Sequence, residues 1–76
     1  MRLTNKSEWK QGQKVHGLYC GKIFSGVINE NTRSTPDYKN VIFSVTLDNP
    51  IVVYGNKKES VEVETNSIAN EIFFSW

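Results

Sequence analysis

Apolar and polar residues alternate with a period of two over most of this chain, the period of strands with one buried face. "NVIFSVTLD" carries the pattern most clearly. Val41, Phe43, Val45 and Leu47 fall on one side, with Ile42, Ser44, Thr46 and Asp48 on the other. "SVEVE" repeats it, with Val61 and Val63 expected inward and Glu62 and Glu64 outward. "KVHGLYC" alternates too, placing Val15, Gly17 and Tyr19 on one parity and His16, Leu18 and Cys20 on the other. After Gly21, "KIFSGVI" reads as a second strand. Glycines within strand patterns mark bends or close backbone approach, so Gly17, Gly21 and Gly26 predict a sheet that curls tightly.

Between these runs the punctuation predicts connections. Asp48-Asn49-Pro50 has turn chemistry, "IVVY" reads as a short buried strand, and "GNKKE" as a hairpin turn. In "TNSIANEIFFSW", Asn66 or Ser67 is suited to cap one helical turn carrying Ile68 and Ile72, followed by a short closing strand. Residues 1–11 are polar apart from Met1, Leu3 and Trp9 and are expected to form an N-terminal arm pinned by Trp9.

The expectation is therefore an all-β chain with a single domain over residues 12–76: a small five-stranded antiparallel barrel with a helical turn near its C-terminus. This order of short strands, with one long early loop and a turn before the last strand, resembles a small Src-homology-3-like barrel, the architecture shared by Tudor and KOW-type domains. The resemblance covers residues 12–76 through element order and the valine–glycine rhythm of "GQKVHGLYCGKIFSGVI". It lacks the acidic and aromatic groove motifs of the peptide-binding subgroup and any aromatic cage, so it implies a fold and no ligand. The rival topology is an oligonucleotide-binding barrel, for which 76 residues is short.

Size and charge narrow the function. A 76-residue chain buries only about 60–65% of its unfolded surface, which leaves little room for a catalytic cavity. Nine Lys/Arg against eight Asp/Glu give a net charge of +1, so any basic patch must come from arrangement rather than excess. The lone Cys20 excludes an intramolecular disulfide and the multi-cysteine zinc patterns. The N-terminal stretch lacks the apolar core of a signal peptide, and a cytoplasmic location is expected.

No catalytic constellation emerges. His16 and Cys20 are four residues apart on one strand parity, roughly 13 Å, too far for a base to activate a thiol. Glu62 and Glu64 read as the solvated side of a strand, not as metal ligands. No metal, no cofactor and no enzymatic activity are expected. The segment "NENTRSTPDYKN", residues 29–40, has no aliphatic side chain. It combines Arg33, Thr35, Tyr38 and Lys39, a set able to form a protein-docking surface stiffened by Pro36. An alternative set for nucleic acid joins Lys22, Arg33 and Lys39 with Lys57 and Lys58. Nine aromatics are many for so small a core. The C-terminal "IFFSW" is a candidate for plugging the barrel or packing on a second copy of the chain. The function expected is a non-catalytic binding module or small regulator with a protein partner. Size alone suggests an accessory protein of a bacterium or phage.

Overall fold

A computed structural model describes residues 9–64, 66–67 and 70–73, together with the backbone of Phe74. Every regular element among them is a strand: β1 Lys14–Tyr19, β2 Lys22–Ile28, β3 Arg33–Ser34, β4 Val41–Val53, β5 Asn56–Glu64 and β6 Glu71–Phe74. All pairings are antiparallel. The sheet runs β6–β1–β2–β4–β5, with the two-residue β3 added to β4. β5 and β6, the ends of this path, lie in contact, so the sheet curls back on itself.

The alternation in sequence translates directly into burial. Val41, Phe43 and Val45 of β4, Val61 and Val63 of β5, Val15 of β1, Phe24 and Ile28 of β2 and Ile72 of β6 form one core. Each such side chain contributes roughly 1.5–3 kcal/mol of burial free energy. Trp9 closes the core from the N-terminal side, its ring edge-on to Phe43 at 6.1 Å and 86°. Residues 1–8 of the expected arm lie outside the described residues; Lys10 and Gln13 close a turn through a Gln13 N–H···O=C bond of 3.1 Å.

Two glycines permit the curl. A Cβ on Gly26 would stand 2.1 Å from the carbonyl oxygen of Thr46, and one on Gly17 would stand 2.0 Å from that of Glu71. Both neighbours are backbone, so only a residue without a side chain lets the strands cross there. The β1–β2 and β4–β5 connections are two-residue turns, Cys20-Gly21 and Tyr54-Gly55, with positive φ at both positions. This is the type I′ geometry that matches strand twist.

Four expectations need correction. Asp48-Asn49-Pro50 is no turn: β4 continues through it to Val53, and Leu47–Pro50 instead form a bulge where pairing jumps from Thr46–Ser60 to Ile51–Lys58. Asp48 is held there by Lys14 and by the Ser25 hydroxyl, partners remote in sequence. "IVVY" is consequently the second half of β4, and it is not buried throughout: Val53 is inside, whereas Val52 is exposed and Tyr54 is 89% exposed. Within "GNKKE" only Gly55 belongs to the turn, since Asn56, Lys57 and Lys58 already pair with β4. Finally, there is no helix among the described residues. Ser67 and Asn70 close turns on Glu64 and Ser67, and Ile72, expected on the helical turn, is a core residue of strand β6. Ile68 lies outside the described residues.

Candidate functional site

Residues 29–40 form two turns around β3, held by their own polar groups and by bonds to β4 and β5. Asn29 opens the first. Its side-chain oxygen accepts from the Asn31 N–H at 2.9 Å, its carbonyl accepts from Thr32 N–H at 3.3 Å, and its amide donates to the Thr46 hydroxyl at 3.0 Å. The Thr32 hydroxyl then does the work of a strand residue. It accepts from the Ser44 N–H at 2.9 Å and donates to the Ser44 carbonyl at 3.3 Å. A short polar side chain competing with backbone in this way is why Asn and Thr favour such turns.

The second turn is centred on Thr35, which is buried although its surroundings are polar. Its N–H donates to the Asn40 carbonyl at 3.0 Å, and its carbonyl accepts from Tyr38 N–H at 2.9 Å. Pro36 thus occupies the position where its fixed φ suits a type I turn. The Thr35 hydroxyl donates to an Asp37 carboxylate oxygen and accepts from the Asn40 N–H at 3.2 Å. Asp37 also accepts from the Lys39 N–H at 3.1 Å. These bonds to the charged form, the Thr35 hydroxyl first and the Lys39 amide next, hold the Asp37 carboxyl below its ordinary value. The outcome is an ordered tip on which Tyr38, at φ 59°, is 78% exposed. Lys39 is exposed beside it.

Arg33 is differently placed. Its guanidinium spans β4 to reach β5, making two 3.2 Å bonds to the two carboxylate oxygens of Glu62, and it also donates to the Asn31 carbonyl at 3.2 Å. The pair reinforces both charges: Glu62 is held below its ordinary value, chiefly by the hydrogen bond from Arg33, and Arg33 is raised. Beside this hairpin is an open concavity of about 420 Å³, lined by Thr35, Pro36, Asp37, Asn40, Ile42 and Glu64. Glu64 and Ile42 enter the site because they pair across β4 and β5. Nothing in the local sequence announces Glu62, Glu64 or Ile42 as neighbours of this loop; only register brings them there.

The protein-docking set Arg33, Thr35, Tyr38 and Lys39 is therefore brought together on one hairpin, with Thr35 as its internal brace rather than an exposed contact. The wider basic set is spread over the hairpin, the start of β2 and β5. Arg33 pairs with Ile42, whereas Lys58 and Lys57 pair with Ile51 and Val52 near the other end of β4. Counted along β5 from Glu62, which Arg33 touches, Lys58 and Lys57 lie four and five residues away, roughly 13–17 Å, beyond the Leu47–Pro50 bulge. Lys22 stands beside the β1–β2 turn.

His16 and Cys20 do not converge. Cys20 is exposed at the turn, its N–H donating to the Asn70 side chain at 3.0 Å. His16 is stacked on Phe73 at 5.6 Å between ring centroids, and burial lowers its pKa. In the described part of the C-terminal aromatic segment, Ile72 lies in the core and Phe73, half-buried, stacks on His16; Trp76 lies outside the described residues. No helix among the described residues is long and apolar enough to cross a membrane. Comparison with protein-family models, with curated proteins and with solved structures finds no match.

Proposed function

We propose that this chain is a non-catalytic docking module of the cytoplasm, a Src-homology-3-like barrel that binds a protein partner through the 29–40 hairpin and the adjoining face of β4 and β5. The barrel reading is supported by the meander order of the sheet and by the contact between its end strands β5 and β6. The observation that carries the docking reading is Tyr38: an exposed aromatic residue at positive φ on a turn with internal hydrogen bonds, whose neighbours Asp37 and Asn40 line an open concavity. Aromatic side chains with a polar end concentrate at interfaces, and a loop already fixed by its own bonds loses little entropy when it is covered.

Affinity capture from lysate tests it, comparing wild type with Tyr38→Ala and with an Arg33→Ala/Tyr38→Ala double variant. Loss of a specific protein from both variants is expected. Identical recovery by all three chains would mean that the hairpin is not the contact surface. Recovery of nucleic acid that elutes steeply with salt would point instead to the basic set Lys22, Arg33, Lys39, Lys57 and Lys58.

A further inference from the structure

The concavity beside the hairpin carries charge of one sign. β3 and β5 flank β4, so the hairpin lies on one side of Ile42 and Glu64 on the other. The open space of about 420 Å³ between them is lined by two carboxylate residues, Asp37 and Glu64, by Asn40 and Asn66, and by the apolar Pro36 and Ile42. Among the described residues no lysine or arginine lines it. Arg33, which pairs with Ile42 in the ladder, has its guanidinium committed to both carboxylate oxygens of Glu62 and to the Asn31 carbonyl. Lys39 is exposed, and it is its backbone N–H that meets Asp37.

The two carboxylates differ in what they already hold. Asp37 accepts from the Thr35 hydroxyl and the Lys39 N–H, bonds that favour its charged form. Glu64 is half-buried, yet among the described residues its carboxylate has neither a hydrogen bond nor an ion pair. A carboxylate partly withdrawn from water and left without a partner gains from an incoming cation. The apolar part of the lining adds a second requirement. Arginine meets both, with an aliphatic stem to lie over Pro36 and Ile42 and a planar, multiply donating head for the acids.

We propose that the partner engaged by the hairpin presents a basic segment, one arginine of which enters this concavity between Asp37 and Glu64. The inference rests on the docking reading above and specifies the chemistry of the partner.

Selection from a random octapeptide library on the immobilised full chain tests it. Enrichment of arginine-containing peptides is expected. A synthetic copy, followed by fluorescence polarisation, should bind Glu64→Gln about three- to fivefold more weakly and Glu64→Lys about tenfold more weakly, and its Arg→citrulline form should lose binding to wild type. Because the Glu64 side chain makes no bond, the circular dichroism spectra of both variants should match wild type. Enriched peptides that are acidic or uncharged would overturn the proposal, as would basic peptides that bind Glu64→Lys as well as wild type. No enrichment over the bare support would overturn it too, while lysate capture with Tyr38→Ala still decides the docking reading. Binding lost in Tyr38→Ala but intact in Glu64→Lys would keep the hairpin as a contact and remove the arginine from the concavity. Binding lost in Glu64→Lys but intact in Tyr38→Ala would support the arginine and take Tyr38 out of the contact.

Discussion

Replacing Gly26 by alanine puts the curl of the sheet to a direct test. The added Cβ would lie 2.1 Å from the Thr46 carbonyl oxygen and 2.9 Å from the Leu47 Cα. No rotamer relieves a clash between two backbones. Restoring an ordinary 3.4 Å contact requires β2 and β4 to part by about 1.3 Å. That separation stretches the ladder over Gly26–Ile28 and Val45–Leu47 beyond hydrogen-bond range. Losing two ladder bonds costs about 1 kcal/mol each, and the loosened packing of Ile28 and Val45 adds a similar amount, for a total of about 3 kcal/mol. A domain of this size has a total stability of roughly 4–11 kcal/mol. Urea unfolding followed by tryptophan fluorescence is a suitable assay, because Trp9 packs on Phe43. With a slope of about 1 kcal/mol per molar urea, the midpoint should fall by about 3 M. Gly55→Ala is the control: its Cβ meets nothing within 4 Å, and only its φ of 78° opposes a side chain, a cost of about 1 kcal/mol. If both variants lost the same modest amount, steric crossing at Gly26 would not be what shapes the sheet.

Other outcomes follow from the same geometry. Tyr54 occupies the first position of a type I′ turn at φ 50°, where asparagine is preferred, so Tyr54→Asn should raise the melting temperature by several degrees, read by calorimetry. Thr35→Val removes the hydroxyl that joins Asp37 to Asn40; it should cost about 1–2 kcal/mol in urea unfolding and let the Asp37 carboxyl, followed by NMR titration, rise toward its ordinary value. Asp37, Asp48 and Glu62 are all lowered in the folded chain, chiefly by hydrogen bonds from Thr35, Lys14 and Arg33 respectively. The stability they confer is therefore complete above the unfolded carboxylate range near pH 4 and lost as pH falls through the folded values. Melting temperature measured against pH should show that acid loss, and Arg33→Ala should remove the share belonging to Glu62.

What could be read from the chain followed the range of the interactions involved. β2 is legible because Phe24, Gly26 and Ile28 fall on one parity and are all buried, and Val61 and Val63 are legible for the same reason. Local alternation suffices wherever a strand faces a single core. It fails at Asp48-Asn49-Pro50, whose composition favours a turn, because Lys14 and Ser25 capture Asp48 from 34 and 23 residues away. It fails again at Tyr54, a residue with no turn preference, where Gly55 and the flanking strands impose the turn. The 29–40 loop was visible as a polar interruption, but its internal design was not. That Thr35 is a brace and Arg33 is bound to Glu62 depends on the register of β3, β4 and β5.

β4 borders β2, β3 and β5, and its thirteen residues run through both halves of the curled sheet. The strands that border such a spine are expected to open together. Amide protons of Phe43 in β4, Val63 in β5 and Phe24 in β2 should exchange through one shared opening event, with protection that rises and falls together as denaturant is added.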